Sequence, residues 1–173
     1  MGKKVIRITL NTKDINKAIR ELEKYKREFQ KKVDTFRRRI VEEIAASATI
    51  NFNSAEMEDV IKGTPRKPDV TVSVDERGNI AVVVADGEDA VWCEFGAGVY
   101  HNGSVGSSPH PKGNELGFTI GSYGKGYGKG KAWGYYEDGQ LIITRGTPAS
   151  MPMYNAAQEV MKKAIEIARE VFQ

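Results

Sequence analysis

Apolar residues recur at steps of three or four from Ile15 through Ile19, Leu22, Tyr25, Phe29, Val33, Phe36 and Ile40 to Ile44. A stripe kept in phase over that distance predicts an amphipathic helix over residues 13–48. Asn11 or Thr12 is placed to cap it, and Asp14 lies in its first turn, where a negative charge meets the positive end of the helix dipole. At 1.5 Å per residue the helix would be roughly 50 Å long. That exceeds what a compact domain of this size needs, so part of it is expected to pack against something outside its own domain. Before it, KVIRITL at 4–10 alternates as a strand does. After it, Asn53 and Glu56 have capping-box spacing and Gly63 with Pro65 supplies a stop, which predicts a short helix over 54–62.

The period then drops to two. DVTVSVD at 69–75 and IAVVVAD at 80–86 alternate on either side of ERGN, a hairpin signature. AVWCEFG at 90–96 reads as a third strand, giving an antiparallel meander over 69–96. Between Gly96 and Gly146 lie fourteen of the eighteen glycines, interleaved with tyrosine, tryptophan and phenylalanine, and 97–139 is expected to be a flexible Gly/aromatic loop. QLIITR at 140–145 is a last strand. GTPASMPMYNAAQEV at 146–160 then turns the chain into a C-terminal helix over 152–171, with Pro152 in the first turn, where its missing amide hydrogen costs nothing. The predicted architecture is a single α+β domain over 1–173. A small antiparallel sheet packs against a long N-terminal helix and a C-terminal helix, with a long Gly/Tyr-rich loop.

Composition narrows the function classes. The chain has 173 residues, 40% of them hydrophobic and 28% charged, which suits a folded domain. Its formal charge of +3, from 26 Lys and Arg against 23 Asp and Glu, is well short of the concentrated charge of a protein built around nucleic acid. The face of residues 13–39 carries eleven Lys or Arg against five Asp or Glu. A solvated helix surface accounts for it, and contact with an acidic partner or nucleic acid is the alternative. The single cysteine, Cys93, excludes an intramolecular disulfide and a Cys-rich metal site, and is expected to be a buried strand residue. No leader-like apolar segment opens the sequence and no stretch reaches bilayer-spanning length, so synthesis in a cytoplasm and no membrane partner are expected. Met1-Gly2 lacks the hydroxyl residue that a myristoylation signal requires at position 6.

Candidate chemistry is sparse. His101 and His110 lie in the glycine-rich stretch near Cys93, Glu94 and Glu115, yet their spacing matches no HExxH or Cys-His ligand pattern, and both read as polar loop residues. GSYGKGYGKGK at 121–131 departs from a phosphate-binding loop, because Tyr127 stands where the lysine should and no helix follows. Its aromatics and lysines suit three roles: a subunit arm, a solvent loop, or a stacking surface for single-stranded bases. Tyr123, Tyr127, Trp133, Tyr135 and Tyr136 are the candidate assembly contacts. Glu94 is expected to pair with a cation on the sheet or across an interface. No catalytic residue, metal or cofactor is predicted.

WCEFGAG at 92–98, followed after a variable loop by GTPASMPMYNAAQEV, resembles the tail-component family typified by gene product 10 of phage HK97. Glu94, Phe95 and Gly96 match the first motif, with Ala97 where threonine is usual. Pro152, Met153 and Ala156 match the second, with Met153 where phenylalanine is commoner. The order of long helix, small sheet and terminal helix matches as well. The resemblance implies a structural phage or prophage neck protein acting in tail completion or head-tail joining. It would be a homo-oligomer, with a hexameric ring as one form, or would assemble when connector, stopper or tail proteins are met. It would lie around the DNA channel, in non-specific proximity to DNA, in the virion neck or tail after a period in the host cytoplasm. The insertion from Tyr100 to Tyr136 departs from the shortest members and leaves open which neck ring is occupied. The alternatives are a nucleic-acid-binding or metal-dependent nuclease-like accessory protein using His101, His110 and the basic loop, or a small regulatory or toxin-like protein.

Overall fold

The computed structural model describes residues 9, 11–58, 65–96, 108–113, 115–116, 133–144 and 146–173. The first helix, α1, runs Thr12–Ser54, 43 residues and roughly 65 Å at the α-helical rise. Asn11 caps it from extended backbone, its side chain accepting the Asp14 N–H at 2.9 Å. Thr9 and Asn11 both donate to the Asp14 carboxylate, and those hydrogen bonds hold its pKa below the ordinary value. At the other end Ala55 turns to ψ 145° while its N–H closes back on Asn51 and Phe52 carbonyls.

The helix thus continues six residues past the predicted 48, and the short helix expected over 54–62 does not form as written. Asn53 lies within α1, so it cannot cap a following helix, and the chain leaves Ala55 extended. Met57–Glu58 (β1) pairs antiparallel with Pro65–Arg66 (β2). Of the N-terminal strand predicted at 4–10 only Thr9 is described, outside any strand, and Gly63 lies outside the described residues.

The hairpin forms where the alternation places it. Thr71–Arg77 (β3) and Ile80–Asp86 (β4) pair in register from Thr71↔Asp86 to Arg77↔Ile80, around a two-residue turn whose Gly78 has φ +59°. Val72, Val74, Val83 and Ala85 share the face that packs toward α1, where Arg38 meets Glu76. Gly87, at φ +136°, sits so close to β3 that a Cβ would lie 2.1 Å from the Asp69 carbonyl oxygen.

The third strand of the predicted meander is instead a short helix, α2, Ala90–Phe95. Its buried residues are Ala90, Cys93 and Glu94, a helical spacing that the apparent alternation of AVWCEFG masked. Asp89 anchors its start: the carboxylate takes a two-pronged contact from Arg66, at 2.5 and 2.8 Å, and the Asp69 N–H at 2.7 Å. Those contacts, led by Arg66, lower its pKa against the opposing effect of burial. Gly96, at φ 76°, ends the helix.

Within 97–139, expected to be loop throughout, Trp133–Glu137 is a strand (β5). It pairs antiparallel with Gln140–Thr144 (β6) across an Asp138-Gly139 turn in which both residues have positive φ. Asp-Gly is a favoured sequence for that turn. Residues 108–113 also form a defined turn.

The last helix, α3, runs Pro152–Phe172 and lies antiparallel on α1. Asn51 donates to the Pro152 carbonyl at one end, Ser47 meets Glu159, Arg39 meets Glu170, and Phe172 packs at a tilt against Phe29 and Phe36 at the other. Val41 and Ala48 on α1, with Ala156, Val160 and Ile167 on α3, are buried at steps that keep one face of each helix inward. At the Pro152 end, Phe52, Met57 and Cys93 form the central cluster, joined by Val70, Val72, Ala85, Trp92 and Met153. The architecture is α+β: a long N-terminal helix, small antiparallel two-stranded sheets and a C-terminal helix.

Candidate functional site

The start of α3 has a local problem. Its first helical residue is Pro152, and the residue before it, Met151, takes the left-handed conformation (φ 53°, ψ 48°) with no side-chain cap of its own. The N–H groups of Met153 and Tyr154 therefore point out of the helix end with no intrahelical acceptor. Glu94 reaches them from α2: Oε2 accepts from Met153 N at 2.8 Å and Oε1 from Tyr154 N at 2.9 Å. A carboxylate there also sits at the positive end of the helix dipole.

The converse arrangement satisfies α2, whose last carbonyls lack intrahelical donors. Ser150 N–H and Met151 N–H both donate to the Cys93 carbonyl, at 2.9 and 3.2 Å, as does the Ser150 hydroxyl. Ser108 Oγ donates to the Phe95 carbonyl at 2.5 Å. Two helix ends, each short of partners, thus complete each other.

His110 closes the arrangement. It is only 8% exposed, as is Glu94. Its Nε2 lies 3.2 Å from Glu94 Oε1, and its Nδ1 accepts the Lys112 N–H at 3.1 Å. Accepting at Nδ1 fixes the neutral tautomer with the proton on Nε2, which donates to Glu94. The ring packs against Phe95 at 4.4 Å between centroids and edge-on to Tyr154 at 5.3 Å. Gly113 allows the turn to tighten, since a Cβ there would approach Ser108 Cβ to 2.6 Å.

This clasp commits the carboxylate and the imidazole at its centre. Both Glu94 oxygens accept and both His110 ring nitrogens are engaged, so His110 has no nitrogen to offer a metal or substrate without breaking the contact. Cys93 is buried, its thiol donating to Met57 Sδ at 3.6 Å. Burial, reinforced by the nearby Asp89 charge, pushes its pKa up to about 11, which keeps it a thiol at neutral pH. Among the described residues no group of three or more His, Cys, Asp and Glu could hold a metal ion, and no helix is long and apolar enough to cross a membrane.

Measured against the sequence-based expectations, the structure gathers one set of residues and separates the others. Glu94 meets the backbone of Met153 and Tyr154 at the α2–α3 junction, where the Ser150 and Met151 amides reach the Cys93 carbonyl. Among the described residues Glu94 meets two backbone amides and His110 rather than the sheet lysine or arginine expected of it, and the expected alternative, a pairing across an interface, is a matter for the assembly. His110 is buried rather than a polar loop residue. Cys93 is buried as expected, on a helix rather than a strand. Tyr136 is exposed on β5, while Trp133 and Tyr135 belong to the same strand. His101, Tyr123 and Tyr127 lie outside the described residues. The Arg66–Asp89 pair and the role of Ser108 had no sequence signal beyond the turn-forming run SSPHPKG, whose target lies across a glycine-rich segment.

Comparison with protein-family models, with curated proteins and with solved structures finds no match to this chain.

Proposed function

We propose that the chain is a structural subunit of a long-tailed phage or prophage neck, acting in tail completion or head-tail joining by forming or entering a ring around the DNA channel. The observation that supports this most is the convergence of the two family-like motifs. Glu94-Phe95-Gly96 and Pro152-Met153, separated by more than fifty residues, form a single clasp in which the glutamate caps the helix that the proline begins. A motif pair that makes physical sense only when both halves are present fits a shared structural unit rather than two chance matches. The clasp holds helix ends and has no activated group, which suits a protein whose work is to hold shape and bind neighbours. The apolar positions left in contact with solvent on α1 and on the β5–β6 ribbon are what a subunit buries on assembly.

The test is genetic. Deleting the coding sequence from the genome that carries it, inducing particle production and imaging the lysate should show filled heads without tails beside free tails, restored to joined particles by the chain supplied in trans. Joined, infectious particles in its absence, or no particle-related phenotype of any kind, would overturn the proposal.

A further inference from the structure

Where α3 ends, α1 does not. Phe172 packs against Phe29 and Phe36, and the Gln173 carbonyl accepts Lys32 Nζ at 3.0 Å. Beyond that point Thr12 to Glu28 projects for roughly 25 Å. The stripe that α3 covers continues along this arm around the buried Ala18 as Ile15, Ile19 and Leu22, spaced by four and three, with exposures between 39% and 56%. Between Thr12 and Glu28 stand six Lys or Arg and four Asp or Glu. By helical periodicity Lys26 falls within the stripe, and Arg20 and Arg27 flank one side.

The β5–β6 ribbon has the complementary character. Tyr136↔Leu141 and Gly134↔Ile143 are register partners, so Tyr136, Leu141 and Ile143 share one face, and their exposures run from 55% to 76%. The opposite face holds the buried Ile142. The turn is acidic, Glu137-Asp138, and residues 133–144 include no Lys or Arg. A two-stranded ribbon with an apolar face is marginal on its own and gains by being covered. Five residues of strand span about 17 Å, enough to cover the roughly 10 Å of helix from Ile15 to Leu22.

The ribbon cannot cover the arm of its own chain. Ser150 is tied to the Cys93 carbonyl, and Pro152 to Asn51, which places the end of β6 near the far end of α1. Six residues separate Ile143 from Ser150, seven steps of the chain with a reach of at most about 24 Å when fully extended. Along α1, Leu22 and Ile15 lie roughly 44 and 54 Å from Asn51. Covering the stripe with this ribbon therefore requires a second molecule.

Building on the assembly function proposed above, we propose that the β5–β6 ribbon of one copy lies on the Ile15-Ile19-Leu22 stripe of the α1 arm of a neighbouring copy, its acidic turn facing the arm's basic residues. The contact joins two different surfaces, so each molecule keeps one of each free for the next, which is how head-to-tail rings are built.

Paired cysteine variants of the full chain test it. Leu22→Cys and Leu141→Cys alter half-exposed positions and leave the core intact, and native Cys93 is buried and unreactive. Under mild oxidation, mixing the two variants should give a disulfide-linked dimer at least about ten times faster than mixing Leu141→Cys with Ile50→Cys, an exposed position at the other end of α1. The double variant should give a ladder of linked species. Rapid self-linking of Leu22→Cys alone would mean that arms pair with arms, and would overturn the inference. So would a Leu22→Cys thiol that resists labelling in monomeric protein, because the stripe would then be covered by the chain's own residues. Absence of the mixed disulfide in a sample that light scattering shows to be oligomeric would also overturn it while leaving the assembly function standing. Its absence in a sample that stays monomeric would overturn it and count against self-assembly as well.

Discussion

Replacing Glu94 by alanine removes the carboxylate that caps the first amides of α3. Two amides, Met153 N and Tyr154 N, lose acceptors at 2.8 and 2.9 Å, and His110 Nε2 loses its partner at 3.2 Å. A donor left unsatisfied in a largely buried site costs about 1–3 kcal/mol. A carboxylate at a partly buried helix N-terminus contributes up to about 2 kcal/mol through the dipole. Water entering the vacated space recovers part of this, so Glu94→Ala should destabilise the fold by about 3–5 kcal/mol, a large share of the ~5–15 kcal/mol typical of a domain. Glu94→Gln keeps the shape and one acceptor but turns an amide N–H₂ toward one of the helix donors, and should cost about 2 kcal/mol. Urea titrations followed by far-ultraviolet circular dichroism would read both values, with Ser47→Ala, at the exposed Glu159 contact, as a variant expected to change stability by less than ~0.5 kcal/mol. Amide exchange at Met153 and Tyr154 should accelerate selectively in Glu94→Gln. A loss below ~1 kcal/mol in Glu94→Ala would refute the reasoning that the two helix ends depend on this carboxylate.

His110→Ala should cost less than Glu94→Ala, about 1–2 kcal/mol, and a double-mutant cycle should return a coupling of at least ~0.5 kcal/mol between the two residues. The Arg66–Asp89 contact makes stability depend on acid: the folded pKa of Asp89 is lowered by Arg66, so its stabilisation is complete above the ordinary carboxylate pKa and disappears as pH falls through the lowered value. Asp89→Asn should be less stable at neutral pH and show a flatter loss below the carboxylate range, measured by denaturation at stepped pH. Gly87→Ala should destabilise by at least ~2 kcal/mol, because the new Cβ meets the Asp69 carbonyl at 2.1 Å. Gly78→Ala, where space is open but φ is +59°, should cost only about 1 kcal/mol in the same titration.

What the sequence revealed followed the strength of local signals. The two long helices and the β3–β4 hairpin were legible because each repeats its period many times and is bounded by capping or turn residues: Asn11 before α1, Gly78 in the hairpin, Pro152 opening α3. The segment from Ala90 to Phe95 misled because six residues can satisfy a period of two and a helical face together. Only the pull of Asp89 on Arg66 and the Asp69 amide shows which one wins. The clasp was half visible. Glu94 and Met153 stood out as members of two separate motifs, but not that one caps the other. The role of Glu94 depends on two backbone amides, which carry no residue-type signal, and on a histidine brought in by a turn sixteen residues away. Orphan groups at helix ends are generic, so the sequence announces that α3 needs a cap without naming the acceptor. Gly113 and Ser108 were indistinguishable from other loop glycines and serines until the tight approach between them was seen.

The most direct test of the proposal that this chain is an assembly subunit is its mass in solution, by light scattering after size-exclusion chromatography, across a concentration series at near-physiological salt. The account predicts a discrete species several times the 19.2 kDa of the chain, growing with concentration and collapsing to monomer when Leu22 or Leu141 is replaced by a charged residue. A monomer at every concentration, unchanged by those substitutions and by added connector or tail-tube protein, would contradict it.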